Sequence, residues 1–203
     1  MKTYEVGILL FDGVDALDFV GPYEVFNMTT FHEKDLKKLL TSHLDHKPFN
    51  VHSVSFDGKS IVANHGLEIS PQFSFKTAPT FDILIVPGGT LKTIQTVMKT
   101  KEIVAWIKTH QHTLIASVCT GALVLAETGL LDMKKATTNR AAIKLMERSY
   151  PDISVLKDVK YVDEGSIITS AGVSSGMNMA LHLVERLLGE ETANRTRETI
   201  EFE

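Results

Sequence analysis

Apolar and polar positions fall into two periods along the chain. Residues 4–11 (YEVGILLF) and 81–86 (FDILIV) are short apolar runs, the first stopped by Asp12-Gly13 and the second by Pro87-Gly88-Gly89-Thr90. Runs of this kind predict central strands buried on both faces of a parallel sheet. A third run, 113–118 (TLIASV), leads straight into Cys119, then Thr120-Gly121 and small apolar residues at helical spacing. That order predicts a buried strand, a sharp turn carrying Cys119, and a helix opening directly behind it.

Between these runs the period changes. The segment 14–28 contains Asp18 and Gly21-Pro22, and Pro22 fits the first turn of a helix, where a missing amide proton costs nothing. Leu36, Leu39, Leu40 and Leu44 share one side of a short amphipathic helix over 35–44. Residues 49–56 (FNVHSVSF) predict a strand, with Asp57-Gly58 turning it into a second short strand near 60–63, and residues 65–69 alternate like a further strand. A helix over 100–110 presents Ile103, Val104, Trp106 and Ile107; His110 and His112 end it, where positive charge suits the helix terminus. The helix behind Cys119 spans 121–128 and stops at Gly129. Residues 136–139 predict a short strand and turn before a helix near 141–149. Asp163-Glu164-Gly165 joins two strands as a hairpin, and a helix over 177–188 ends at Gly189, ahead of a charged helical tail. Strands alternating with helices predict an α/β fold with a mostly parallel sheet, arranged as a single domain over 1–203.

Composition narrows the partners more than the fold. A net charge of −4 offers no electrostatic reason for nucleic acid or an anionic membrane. One cysteine in 203 residues excludes an internal disulfide framework. The short apolar run at the N-terminus is not a signal peptide, and no stretch approaches the ~20 apolar residues of a membrane span. A cytoplasmic protein is the expectation.

Cys119 is the first candidate for chemistry. A side chain at such a turn projects above the sheet, and the amides behind it favour negative charge, so the thiol is expected to ionise more readily than free cysteine. The alternative is a small buried apolar residue. Asp18 falls beyond the carboxyl end of the first strand, where open α/β sheets place their chemistry, or else caps the following helix. The Gly88 and Gly89 amides could serve an oxyanion. His32, His43 and His46 lie in a polar segment without a clear ligand pattern, so a surface excursion is expected there and no metal site. His52, His65 and His182 read as structural or exposed.

Taken together, the segments resemble the DJ-1/PfpI superfamily over nearly the whole chain. The resemblance rests on residues 7–11, 17–26, Val86-Pro87-Gly88-Gly89, Ser117-Val118-Cys119-Thr120-Gly121, Ala136-Thr137-Thr138 and Thr169-Ser170-Ala171-Gly172. Leu17-Asp18-Phe19-Val20-Gly21-Pro22 and Val118-Cys119-Thr120-Gly121 most resemble the isonitrile hydratase branch. The same module is similar to the ligand-sensing half of some AraC-type regulators; with the chain ending after the module, a DNA-binding regulator is not expected. The resemblance implies a flavodoxin-like sandwich, often a homodimer, acting on a small molecule with no cofactor. It implies Cys119 as nucleophile with Asp18 against it as proton donor, and the amides of Gly89 and Thr120 stabilising charge. Many relatives carry histidine after Ala-Thr-Thr, where this chain has Asn139. Asparagine cannot act as a base, which counts against a cysteine hydrolase, amidase or glyoxalase-like enzyme. A non-catalytic redox or ligand sensor is the third reading.

Overall fold

The computed structural model describes residues 2–41 and 44–202. The chain opens with β1 (Tyr4–Leu9), α1 (Ala16–Asn27) and the short α2 (Leu36–Thr41). Then come β2 (Phe49–Ser55), β3 (Ile61–Val62), β4 (Glu68–Ile69), β5 (Phe73–Ser74) and β6 (Ile83–Val86). The middle holds α3 (Leu91–Lys99), α4 (Lys101–Thr109), β7 (Leu114–Ser117) and α5 (Gly121–Glu127). The last third comprises β8 (Lys135–Ala136), α6 (Ile143–Ser149), β9 (Ser154–Val155), β10 (Tyr161–Asp163), β11 (Ile167–Ser170), α7 (Ser175–Leu188) and α8 (Glu190–Thr199).

Seven strands form one sheet in the order β10-β11-β7-β6-β1-β2-β5, parallel throughout except for the β10–β11 hairpin. The apolar runs occupy the centre because both faces are covered. All four residues of β6 are buried, as are Val6, Ile8 and Leu9 of β1 and Ile115 and Ala116 of β7. From β1 the crossover through α1 leads to β2; from β6 the crossover through α3 and α4 leads the other way, to β7. Right-handed crossovers running in opposite directions put these helices on opposite faces. Accordingly α1 packs with α7 and α7 with α8, while α3 packs with α4 and α5. The direction reverses between β1 and β6, and ligands in open sheets bind at that crevice, outside the carboxyl ends of the strands.

Several expected elements differ. Pro22 lies inside α1, not in its first turn, because the helix starts at Ala16. It removes the hydrogen bond that the Asp18 carbonyl would otherwise accept. The strand after Asp57-Gly58 does not fold back on β2; β3 pairs antiparallel with β4 instead. The alternating segment at 65–69 is a 3-10 turn over Asn64–Gly66 followed by β4, with His65 at φ 70. The predicted 35–44 helix is a 3-10 turn (Glu33–Asp35) and α2; Ser42 and His43 lie outside the described residues. Helix α3, with a Thr90 side chain that accepts the Thr93 amide, was not anticipated, nor was β9. Burial beside Phe81 and Trp106 lowers the His110 pKa, against the positive tendency expected at the helix end.

Candidate active site

Three loops meet at the crevice between β1 and β6, and each brings one part of the site. Beyond β7, Cys119 sits at φ 57, a left-handed backbone that few non-glycine residues adopt. Neighbouring loops hold the turn there. The Cys119 amide donates to the Ala171 carbonyl at 2.9 Å, and the Thr138 hydroxyl donates to the Cys119 carbonyl at 2.9 Å. Strain of ~1–3 kcal/mol at such a residue persists only where its surroundings over-determine it. Gly121 makes the tight entry into α5 possible, since a Cβ there would lie 2.2 Å from the Val86 carbonyl oxygen.

Asp18 comes from the first turn of α1 and is fully buried. It does not cap the helix; Asp15 occupies that position, and its carboxylate accepts from Asn64 at 2.9 Å. One Asp18 oxygen, Oδ2, accepts the Gly88 amide at 3.0 Å, while Oδ1 has no hydrogen-bond partner. Ligand atoms of Asp15, Asp18 and Cys119 all lie within 4.8 Å of one another. Sequence reasoning passed over Asp15, although its place three residues before Asp18 puts both at one end of the same helix face.

Ionisation in this cluster follows from burial. Desolvation raises the Asp18 carboxyl from 3.8 to about 7, against the lowering effect of the Gly88 amide. The Cys119 thiol is pushed up to about 12, first by burial and then by the Asp18 charge; the Thr120 amide and the Asn139 side chain pull it down only in part. The expectation of an easily ionised thiol is therefore corrected. Cys119 is 3% exposed, and one turn of helix amides does not outweigh the loss of water beside an acid. Two close groups that resist being charged together behave as a pair, losing a first proton near 7 and holding the second up to about 12.

The amides expected to serve an oxyanion are committed elsewhere. Gly88 donates to Asp18, and Gly89 donates to the Thr120 hydroxyl at 3.0 Å; that hydroxyl in turn donates to the Gly89 carbonyl at 2.7 Å. Gly88 and Gly89 thus position the acid and the cysteine turn. Of the donors proposed from sequence, the Thr120 amide is the one beside the sulfur.

Asn139 stands where a histidine partner was sought, and its side-chain amide donates to Cys119 Sγ at 3.2 Å. Among the described residues no histidine contributes to the ionisation of Cys119. His182 instead contacts Asp163 at 2.7 Å, and His65 is exposed. Asp15, Asp18 and Cys119 could offer three atoms to a metal ion.

Comparison with known proteins adds to this geometry. The sequence profile of the DJ-1/PfpI family matches residues 4–186. The chain is 32% identical over 202 residues to the isonitrile hydratase of Pseudomonas putida, covering 98% of this chain and 78% of that protein. It is 28% identical over 192 residues to the HTH-type transcriptional regulator CdhR of Pseudomonas aeruginosa, covering 94% of this chain but only 52% of the regulator. A THiJ/PfpI family protein from Pseudomonas syringae superposes with a TM-score of 0.84 at 24% identity, over 100% of this chain and 76% of that one. Drosophila melanogaster DJ-1beta superposes with a TM-score of 0.81 at 19% identity, over the full length of both chains. These two likenesses establish the flavodoxin-like fold.

Proposed function

We propose that this chain, which belongs to the DJ-1/PfpI family, is a cysteine-dependent enzyme that adds water to a small isonitrile, giving an N-substituted formamide. The observation that carries the reading is a lone sulfur on a strained turn within 4.8 Å of a buried acid. Similarity to an isonitrile hydratase supports the choice of substrate class.

In the proposed reaction the pair enters with one proton between its two members. Most of the time that proton is on sulfur. Its transfer to Asp18 Oδ1, the oxygen without a partner, creates thiolate and carboxylic acid. The thiolate attacks the terminal carbon of the isonitrile as Asp18 protonates that carbon, giving a thioimidate R–N=CH–S–Cys119. Asp18, now a carboxylate, takes a proton from water as the water adds to the thioimidate carbon. The proton passes to nitrogen, the C–S bond breaks, and the formamide leaves with the sulfur reprotonated. Water is the only co-reactant consumed. The Asn139 and Thr120 amides steady the sulfur while it carries charge.

A hydrolase or amidase reading favours a histidine beside the cysteine, and Asn139 in that place counts against it. Similarity to CdhR favours ligand binding without turnover as the second reading. Formamide production from cyclohexyl isocyanide separates the two. The parent is expected to turn it over, Cys119→Ala to be inactive, and Asp18→Asn to lose about 10²–10⁴-fold in rate. Undiminished turnover in either variant removes the assigned role, and binding without turnover in the parent favours the sensor.

A further inference from the structure

Asn139, whose amide reaches the Cys119 sulfur, also lines a cavity of about 720 Å3. That volume lies in the range of small-molecule sites. Its walls include Thr138, which holds the Cys119 carbonyl, and Ala171, which accepts the Cys119 amide; Cys119 itself does not line it, and Asn139 is the side chain that touches both cavity and sulfur.

The charge of this cavity opposes that of the chain. The protein carries −4 overall, yet Arg140, Lys144, Lys157 and Lys160 line the cavity against one carboxylate, Asp158. Asp158 approaches Arg140 at 3.6 Å, with side chains 83% and 92% exposed, a pair that water and salt leave weak. Lys157 pairs with Glu147 at 2.8 Å. Lys160 donates to the uncharged Asn178 side chain at 3.0 Å, and Lys144 has no carboxylate within 4.0 Å among the described residues. Outside the cavity, Asp15 and Asp18 stand beside the sulfur and repel an anion from the reacting centre.

We propose that this cavity selects small substrates bearing a carboxylate, held by Lys144 and Lys160 while the uncharged reactive end meets Cys119. The proposal rests on Cys119 being the nucleophile and deepens the reading above by giving its substrate a charge. Convergent cations focus the field toward an anion, and salt screens them.

Two experiments separate this proposal from the isonitrile reading. The first compares kcat/KM for isocyanoacetate and its methyl ester in the parent and in Lys144→Gln/Lys160→Gln. The acid-to-ester ratio is expected to be about tenfold or more in the parent, expressed in KM, and to fall toward one in the variant and in high salt. The second needs no turnover: mass spectrometry follows alkylation of Cys119 by iodoacetate and by iodoacetamide. The iodoacetate-to-iodoacetamide rate ratio should exceed that of a free thiol and drop in the double variant. Anion preference in alkylation without turnover of either isonitrile upholds the cavity assignment and sinks the isonitrile reading. Turnover of the ester with no preference for the acid, and an alkylation ratio equal to that of a free thiol, overturns the cavity assignment alone.

Discussion

Replacing Asp18 by asparagine should change how stability depends on pH, by an amount the site itself specifies. The carboxyl is fully buried and its ionisation is raised from 3.8 to about 7, chiefly because burial disfavours the charge. Three pH units correspond to ~4 kcal/mol. The folded state holds the proton more tightly than the unfolded chain, so this contribution is intact below pH ~4 and is lost as pH rises through about 7. Asparagine keeps an oxygen that can accept the Gly88 amide but does not titrate. Its NH2 takes the place of an oxygen without a partner, which costs ~1–3 kcal/mol at every pH. Comparing the slopes with pH removes that constant offset. Urea unfolding of parent and Asp18→Asn at pH 5 and pH 8 should show the parent losing ~3 kcal/mol more than the variant over that interval. Parallel stabilities from pH 5 to 8 would mean that Asp18 gives up no proton over that interval, and the first step of the pair near 7 would have to be abandoned.

Two further outcomes follow from the same cluster. The reactive state carries a single proton, so kcat/KM should climb about tenfold per pH unit up to about 7 and then level, with the step absent from Asp18→Asn; a parent profile that declines through 7 contradicts this assignment. In Gly88→Ala the new Cβ would lie 2.5 Å from the Thr120 hydroxyl oxygen, 2.7 Å from the Thr120 backbone nitrogen and 2.9 Å from Asp18 Oδ2. Because a backbone atom cannot swing aside, a rate loss of ~10²-fold and a destabilisation of ~1–3 kcal/mol are expected in steady-state assays and thermal melts, and parent-like values in both would show that the acid is not held from this loop.

Much of this protein was legible in its residues. The apolar runs ending at Phe11, Val86 and Val118, short and bounded by turn residues, read as strands of a parallel sheet covered on both faces. A cysteine followed by Thr-Gly and small residues marked the turn, and the spacing of Asp18 from the first strand placed it at the same end of the sheet. Ionisation was the part that sequence misjudged. Whether Cys119 gains more from helix amides than it loses by desolvation depends on how much water reaches it, and that is decided by loops distant in the chain, at Thr138 and Ala171. The partners of Gly88 and Gly89 were equally hidden, because the atoms they meet belong to α1 and to the cysteine turn. The positive cavity draws on residues from 140 to 160, which composition averages into a net charge of opposite sign. Periodicity reports which face a residue turns inward, a local property; solvent access and charge at a point are sums over everything folded around it.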